Sequence, residues 1–419
     1  MTRGLHAPMT TAQLDVTVPA VILKLDRNAL HHGGLGAIRS LGRLGVPVYG
    51  VHEDRLAPAA GSRYLHDRWI WRPDAEDAER VRAGLGRLAE RIGRPAVLIP
   101  TDDASAIFLA EHGTDLRRWF LFPDPPSGLP RRLAGKYTLY QRCRELGVPC
   151  VAAALPGSLT DAEEFADRLG FPLVAKLATP WRSGRAKGLR STSVLRSRDE
   201  LARSWRACAD SECGTLMLQD YIPPHHQRQA QDYFFHGYCD AQSRCRPGFV
   251  GIKERSYPAH AGLTSLGRWV DHPGLHRRAT ELVARLGFRG IVDLDYRLDP
   301  RDGQYKLLDF NPRLGAQFRL FQDNAGVDVV VAAHLDLTGR AVPQGSPHFG
   351  RSFLVENYDP IAALAYRHCG LGLRSWVTSL RRADELAWFA RDDLAPFGLM
   401  CLRMGWRAMT RPGQKWTRT

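Results

Sequence analysis

Residues 20-54, AVILKLDRNALHHGGLGAIRSLGRLGVPVYGVHED, pass from an apolar run through a Gly-rich turn and a helical stretch ending at Gly45 into a second apolar run. This is the pattern of a βαβ unit, whose parallel strands need a crossover longer than a tight turn. PAVLIPTDDASAIFLAEH at 95-112 repeats the scheme as strand, acidic turn and helix. The opening segment is therefore expected to form a small open α/β domain. FPDPPSGLP at 122-130 marks its boundary.

Beyond that boundary the pattern changes to α+β. RLAGKYTLYQRCRELGVP is an amphipathic helix stopped by Gly147 and Pro149, and TDAEEFADRLG is a second helix. The strands FPLVAKLA, STSVL and TLMLQDYI follow, with a loop of Gly, Ser, Arg and Lys after the first and the helix SRDELARSWRACA before the last. PPHH at 223-226 reads as a hinge into another sheet, built from QDYFFHGYCD, RPGFVGIKERSYP, GIVDLDYRLD and QYKLLDFNPR, with a helix near 274-287. The last stretch, rich in Trp and Arg, is expected as a helical appendage packed on the body; a basic amphipathic helix on a membrane surface is the other reading.

With 419 residues the chain suits two or three domains, and 44% hydrophobic with 24% charged residues is a globular composition. No stretch approaches the roughly 18 uninterrupted apolar residues of a membrane span, and the start lacks an apolar leader core, so a cytoplasmic protein is expected. The eight cysteines show no CxxC pair, so reduced structural thiols are expected rather than a disulfide framework or a metal knot. The net charge of +14 is spread along the chain without a nucleic-acid-binding motif, so no nucleic-acid partner is expected; phosphates of a small nucleotide use such charge equally well.

Only seven of the 58 cationic residues are lysines, so their placement is informative. Lys136 opens a helix, Lys176 ends FPLVAK, Lys187 lies in WRSGRAKG and Lys253 in GIKERSYP. Asp295 on one strand and Asp309 with Asn311 on the next flank the PRDG turn, where an antiparallel pair brings them to one face. Three oxygen donors without thiol or imidazole suit a hard cation such as Mg²⁺ that keeps positions for water and phosphate. In LLDFNPRLG, Asp309, Asn311 and Arg313 alternate on one strand face, with Leu308, Phe310 and Pro312 on the other. A solvated edge hairpin is the alternative.

Taken in order, these features resemble the ATP-grasp superfamily, and within it the carboxylate-amine ligases related to D-aspartate ligase. The resemblance covers roughly residues 18-345. It implies a pre-ATP-grasp α/β domain over 18-125, a nucleotide subdomain over 131-222, a metal and substrate subdomain over 223-345 and a helical tail over 346-419. ATP would lie between the two subdomains. Lys136 and Lys176 would meet its phosphates, Ser183, Gly184, Lys187 and Gly188 would close over them, and Gln219, Asp220, Tyr221 and Ile222 would hold adenine. Asp295, Asp309 and Asn311 match the metal ligands for Mg²⁺ (or Mn²⁺), while Arg313, Lys253 and Arg255 would act on the γ-phosphate and the activated carboxylate. Asp309 and Asp220 stand where the family usually has Glu.

The implied activity is ATP-dependent coupling of a small-molecule carboxylate to an amine, with a homodimer as one expected assembly. A nucleotide-binding regulatory or scaffold protein without turnover is the alternative. A dinucleotide oxidoreductase built on GGLG at 33-36 is disfavoured, because the spacing is not GxGxxG. His31 and His32 precede that run and are read as part of a plain turn more readily than as substrate contacts; His225, His226 and His236 are read as surface linker histidines more readily than as ribose contacts or proton shuttles, and Asp232 is either a polar member of the second sheet or, as the resemblance implies, a substrate-orienting group.

Overall fold

The computed structural model describes residues 13-26, 28-179, 181, 192-209, 215-224, 231-259 and 262-410. Strands β1 (Ala20–Leu23), β2 (Val48–His52), β3 (Leu65–Ile70), β4 (Ala96–Pro100) and β5 (Phe120–Leu121) form a parallel sheet in the order β3-β2-β1-β4-β5. Helices α1 (His32–Gly42), α2 (Ala78–Ile92) and α3 (Asp103–His112) connect them. The strand order reverses between β1 and β4, and the crevice beyond the carboxyl ends of such strands is where open α/β sheets take ligands. The segments after β1 and β4, with His31 and Asp103, stand there.

The glycines of HGGLG serve packing. A Cβ at Gly36 would come within 2.8 Å of the Phe318 ring, and one at Gly33 within 3.0 Å of Ala316 Cα. Bare backbone at these two positions lets α1 approach the segment that follows Asn-Pro-Arg, so the run has a role without any dinucleotide.

Helices α4 (Leu129–Ala134) and α5 (Lys136–Glu145) lead into a four-stranded antiparallel sheet. Its strands β6 (Ala153–Ala154), β7 (Leu173–Leu177), β8 (Thr192–Leu195) and β9 (Leu216–Asp220) run in the order β6-β9-β7-β8. Helices α6 (Leu159–Leu169) and α7 (Arg198–Ala209) close one face through Phe165, Ala166, Leu201 and Cys208.

The largest sheet has seven strands: β10 (Asp232–Cys239), β11 (Cys245–Tyr257), β12 (Leu263–Trp269), β13 (Gly290–Asp299), β14 (Gln304–Asn311), β15 (Ser352–Leu354) and β16 (Glu385–Leu386), in the order β14-β13-β10-β11-β12-β15-β16. Helix α8 (Pro273–Leu286) covers one face; α9 (Val329–Leu337) joins the other to the parallel sheet in one continuous apolar core. Asp309 pairs directly with Asp295, and Asn311 with Asp293. The ladder slips between Asp295 and Tyr296. A strand bulge re-aims side chains, and here it puts Leu307, rather than Leu308, into the core beside Phe310. Strand β14 is an edge strand, yet its polar face looks into the molecule.

One expectation is corrected. Cys239 and Cys245 are bridged by a disulfide across the β10–β11 hairpin, where reduced thiols were expected. The C-terminal segment holds helices α10 (Asp359–Tyr366), α11 (Leu373–Arg381) and α12 (Ala395–Thr410), but it also adds β15 and β16 to the large sheet and buries Trp388.

Asp393 fastens it down, accepting bonds from Arg39 Nε at 3.0 Å, Ser62 Oγ at 2.7 Å and the Arg63 amide at 2.9 Å. Arg39 is itself buried. Removing one partner of a buried pair strands the other charge, a loss of about 3–5 kcal/mol. Asp393→Ala is expected to lower unfolding free energy by that amount in urea titration, whereas Asp392→Ala, at a more exposed pair with Arg43, should cost no more than about 1 kcal/mol.

Candidate active site

The site forms where the N-terminal ends of α3 and α5, strand β7 and the polar face of β11, β13 and β14 converge. Lys136, the first residue of α5, is fixed by its amide bonding to the Ala178 carbonyl. Its Nζ lies 2.8 Å from Asp309 Oδ1, and Lys176 Nζ approaches the same oxygen at 3.4 Å. Burial alone would raise the Asp309 pKa; the two ammonium groups more than reverse this and hold it well below the usual carboxylate range. Across the ladder, Lys253 Nζ sits 2.7 Å from Asp295 Oδ1. Asp295 is pushed up by burial and by Asp293 and Asp309, with Lys253 opposing.

Arg313 lies between sheets. Its Nη1 donates to Asp293 Oδ2 at 3.0 Å, and its Nε is 3.5 Å from Asp103 Oδ1 at the start of α3. Asp293 is buried; it also accepts from Asn311 Nδ2 at 3.4 Å and faces His236 Nε2 at 3.3 Å. Burial lowers the His236 pKa to about 4, so the ring is neutral at pH 7. His236 is thus a fully buried strand residue, not a surface histidine. His225 and His226 lie outside the described residues.

Gly315 makes room for this group. A Cβ there would fall 2.0 Å from His236 Cε1 and 2.8 Å from Asp293 Cγ. Gly315→Ala is expected to force the pair apart and destabilise the protein by about 1–3 kcal/mol, the usual penalty for overpacking. Chemical denaturation measures it, and a variant as stable as the parent would refute the packing argument.

A cleft of about 940 Å³ opens from Lys253, Asp295, Asp309, Asn311 and Arg313 toward the parallel sheet, where His31, Thr101 and Asp103 line it. His31 therefore faces the cleft as more than a turn residue, and burial lowers its pKa to about 3. Asp103 is raised by burial, with Arg313 opposing.

Arg255 is not part of this group. The ladder slips on either side of it, and its guanidinium is committed to Asp359 at 2.8 and 2.9 Å and to Ser379. It anchors the C-terminal segment. Asp232 is likewise held by Arg297 at 2.5 and 2.8 Å. At the hinge, the Asp220 amide donates to the Ala152 carbonyl and its carboxylate meets Arg301 at 2.9 Å, while Gln219 and Ile222 are buried and Tyr221 is half-buried. Ser183, Gly184, Lys187 and Gly188 lie outside the described residues.

Asp293 and Asp103 were missed in the sequence. The signal for Asp293 was available: it stands two residues before Asp295 and so shares its strand face.

Asp295, Asp309 and Asn311 fit a hard cation, because they supply only oxygens and each carboxylate already meets a positive group. Among the described residues no group of three or more His, Cys, Asp or Glu is placed to hold a metal ion by itself. An ion here needs further oxygens from water or phosphate.

The fold is the ATP-grasp fold. The chain superposes on the biotin carboxylase domain of 2-oxoglutarate carboxylase from Hydrogenobacter thermophilus with a TM-score of 0.57 at 15% identity, over 80% of this chain and 73% of that one. For N5-carboxyaminoimidazole synthetase from Staphylococcus aureus the TM-score is 0.57 at 12% identity, over 83% of each chain. In sequence the chain is related to D-aspartate ligase of Enterococcus faecium (strain Aus0004), 25% identical over 285 residues, or 63% of this chain. It spans 64% of that relative's length. No protein-family model matches the chain.

Proposed function

We propose that the chain is an ATP-dependent carboxylate-amine ligase working through an acyl-phosphate. The observation that carries this reading is the convergence of Lys136, Lys176 and Lys253, from three separate elements, on Asp309 and Asp295 facing each other across β13 and β14. Buried ammonium groups arranged around metal-ligating carboxylates suit a polyphosphate, whose transfer needs positioning and charge neutralisation more than covalent chemistry. The relatives support it: one is a D-aspartate ligase, and the Hydrogenobacter domain was solved with MgADP and bicarbonate.

In this reading Lys136 and Lys176 exchange Asp309 for phosphate oxygens when ATP enters. With the Asp220 amide already bonded to Ala152, the adenine edge falls to Tyr221 and Ile222. By resemblance alone, Ser183, Gly184, Lys187 and Gly188 would contact the phosphates. Asp295, Asp309 and Asn311 would hold Mg²⁺ (or Mn²⁺), which would supply positive charge to the phosphates. Lys253 and Arg313, on the cleft side, orient the carboxylate. Its oxygen takes the γ-phosphoryl group as the bond to ADP breaks. The amine nitrogen then attacks the acyl carbon, phosphate leaves and the amine proton passes to solvent. The amine enters from the parallel-sheet side of the cleft, and closure excludes water that would hydrolyse the intermediate.

A phosphate-release screen over carboxylate and amine pairs, followed by mass spectrometry of the product, tests the proposal. Amine-dependent ADP formation that disappears in Lys176→Ala and Asn311→Ala supports it; nucleotide binding without turnover across a broad panel points to the scaffold alternative.

A further inference from the structure

The cleft wall on the parallel-sheet side presents Oδ1 of Asp103 and Nδ1 of His31, buried polar atoms that make no hydrogen bond within the protein. Buried polar groups are ordinarily paired, so both are placed for a group that arrives from outside. The other acids of that wall are engaged. Asp102 accepts the Leu25 and Ser105 amides, one on each oxygen. Asp26 pairs with Lys24, Glu111 meets Arg131 through both oxygens, and Asp74 and Glu76 have partners of their own. A carboxylate oxygen only accepts, and the neutral His31 ring with its hydrogen on Nε2 leaves Nδ1 an acceptor too. Acceptors on one wall, one of them anionic, match a cationic nitrogen.

The position of Arg313 says what that nitrogen does. Asp103 Oδ1 and Arg313 Nε stand 3.5 Å apart, wider than the roughly 2.7–2.9 Å of a closed charge-assisted bond. Such an open pair takes substrate groups of opposite charge side by side, a carboxylate on Arg313 and an ammonium on Asp103. The amine nitrogen then lies next to the acyl carbon. An ammonium group has no lone pair, so it must lose a proton before it attacks. Burial raises the Asp103 pKa, with Arg313 and Lys136 opposing and Asp309 and Asp293 adding to it, and a carboxylate with a raised pKa is a better base.

We propose that Asp103 is the catalytic base of the amine half-reaction, holding the ammonium group of the substrate and removing one of its protons. The assignment rests on the ligase reading above. The lone pair so freed forms the C–N bond, and the acyl C–O bond breaks with its electron pair going to phosphate. A second proton leaves the nitrogen for that phosphate, the third stays on the amide, and Asp103 gives its own proton to solvent. His31 Nδ1 accepts from the same nitrogen and orients it.

Hydroxylamine isolates this step, because it is an uncharged nucleophile near pH 7 and traps an acyl-phosphate as a hydroxamate without a base. With ATP and a carboxylate and amine that pass the phosphate-release screen, the full chain should form the amide, and with hydroxylamine in place of the amine the hydroxamate. Asp103→Asn should lower amide formation at saturating amine about 100-fold or more, while hydroxamate formation stays within about threefold of the parent. Asp103→Glu, which keeps the carboxylate, should recover part of the amide rate. Hydroxamate formed by Asp103→Asn also shows that the variant is folded and that its ATP-dependent half-reaction is intact. Equal loss of both products, an unchanged amide rate, or a loss confined to the KM for the amine overturns the assignment and leaves the ligase reading standing. Neither product from the parent, across the carboxylate panel, overturns the ligase reading and the assignment with it.

Discussion

Asp309→Asn is expected to reduce amine-dependent ADP release by a factor on the order of 10²–10³, the scale seen when one charge-stabilising group is removed from a transition state. Volume and hydrogen-bonding shape are nearly kept, so the effect isolates the charge. Without it, Lys136 and Lys176 face each other with the anion between them gone. The stability loss should reach about 3–5 kcal/mol, as for other buried pairs deprived of one member. Burial already lowers the Lys176 pKa. A lysine with a depressed folded pKa contributes stability that is present above its unfolded value and is lost as pH falls. The variant should therefore melt closer to the parent near pH 10 than at pH 7. A uniform deficit across that range would mean that packing, not charge, is the cause.

Arg313→Met is the second large effect expected. The guanidinium joins Asp293 on β13 to Asp103 at the head of α3, so it links the large sheet to the parallel one. Its loss leaves Asp103 and Asp293 without their shared cation. We expect turnover to fall on the order of 10²-fold or more, with the loss in kcat rather than in the KM for ATP, because Arg313 lines the cleft whereas the proposed function gives the ATP phosphates to Lys136 and Lys176. The pH dependence follows from Asp103. Its pKa is already raised by burial, and Arg313 is the first opposing influence, so the variant raises it further. A raised carboxylate favours the fold below its unfolded value of about 3.9 and loses that advantage as pH increases. Arg313→Met should thus be nearest the parent in stability at acid pH and furthest at pH 7. Thermal melts at pH 4 and pH 7 check this, and a deficit larger at pH 4 would contradict it.

Much of the site was legible because strand alternation and a tight turn dictate which side chains meet. The PRDG turn set Asp309 opposite Asp295, and Asp309 and Asn311 alternate onto one face as strand geometry requires, whereas Arg313 lines the same cleft from beyond the strand's end at Asn311. What escaped depends on departures from regularity. Arg255 would share a face with Lys253 on an ideal strand, but the ladder slips around it and its guanidinium goes to Asp359. Leu308 gave its core place to Leu307 through a second slip. Strands β15 and β16, three and two residues long, are too short to show a period. Their place in the sheet comes from long-range packing around Trp388 and Arg39, which no local pattern encodes. The Cys239–Cys245 bridge follows from strand register, which composition could not provide.

The shorter Asp at position 309 is no obstacle to reaching the site. It already contacts ammonium groups from α5 and β7 while facing Asp295. Its backbone register, and not an extra methylene, sets the carboxylate between the lysines.

The central claim is that a carboxylate oxygen receives the γ-phosphoryl group. It is tested most directly by turnover of a carboxylate substrate labelled with ¹⁸O in both oxygens, identified from the phosphate-release screen, followed by mass spectrometry of both products. An acyl-phosphate intermediate requires one labelled oxygen in each released phosphate and one in the amide. Label absent from phosphate and present in AMP, or retained wholly in the unreacted carboxylate while ATP is hydrolysed, would contradict the account.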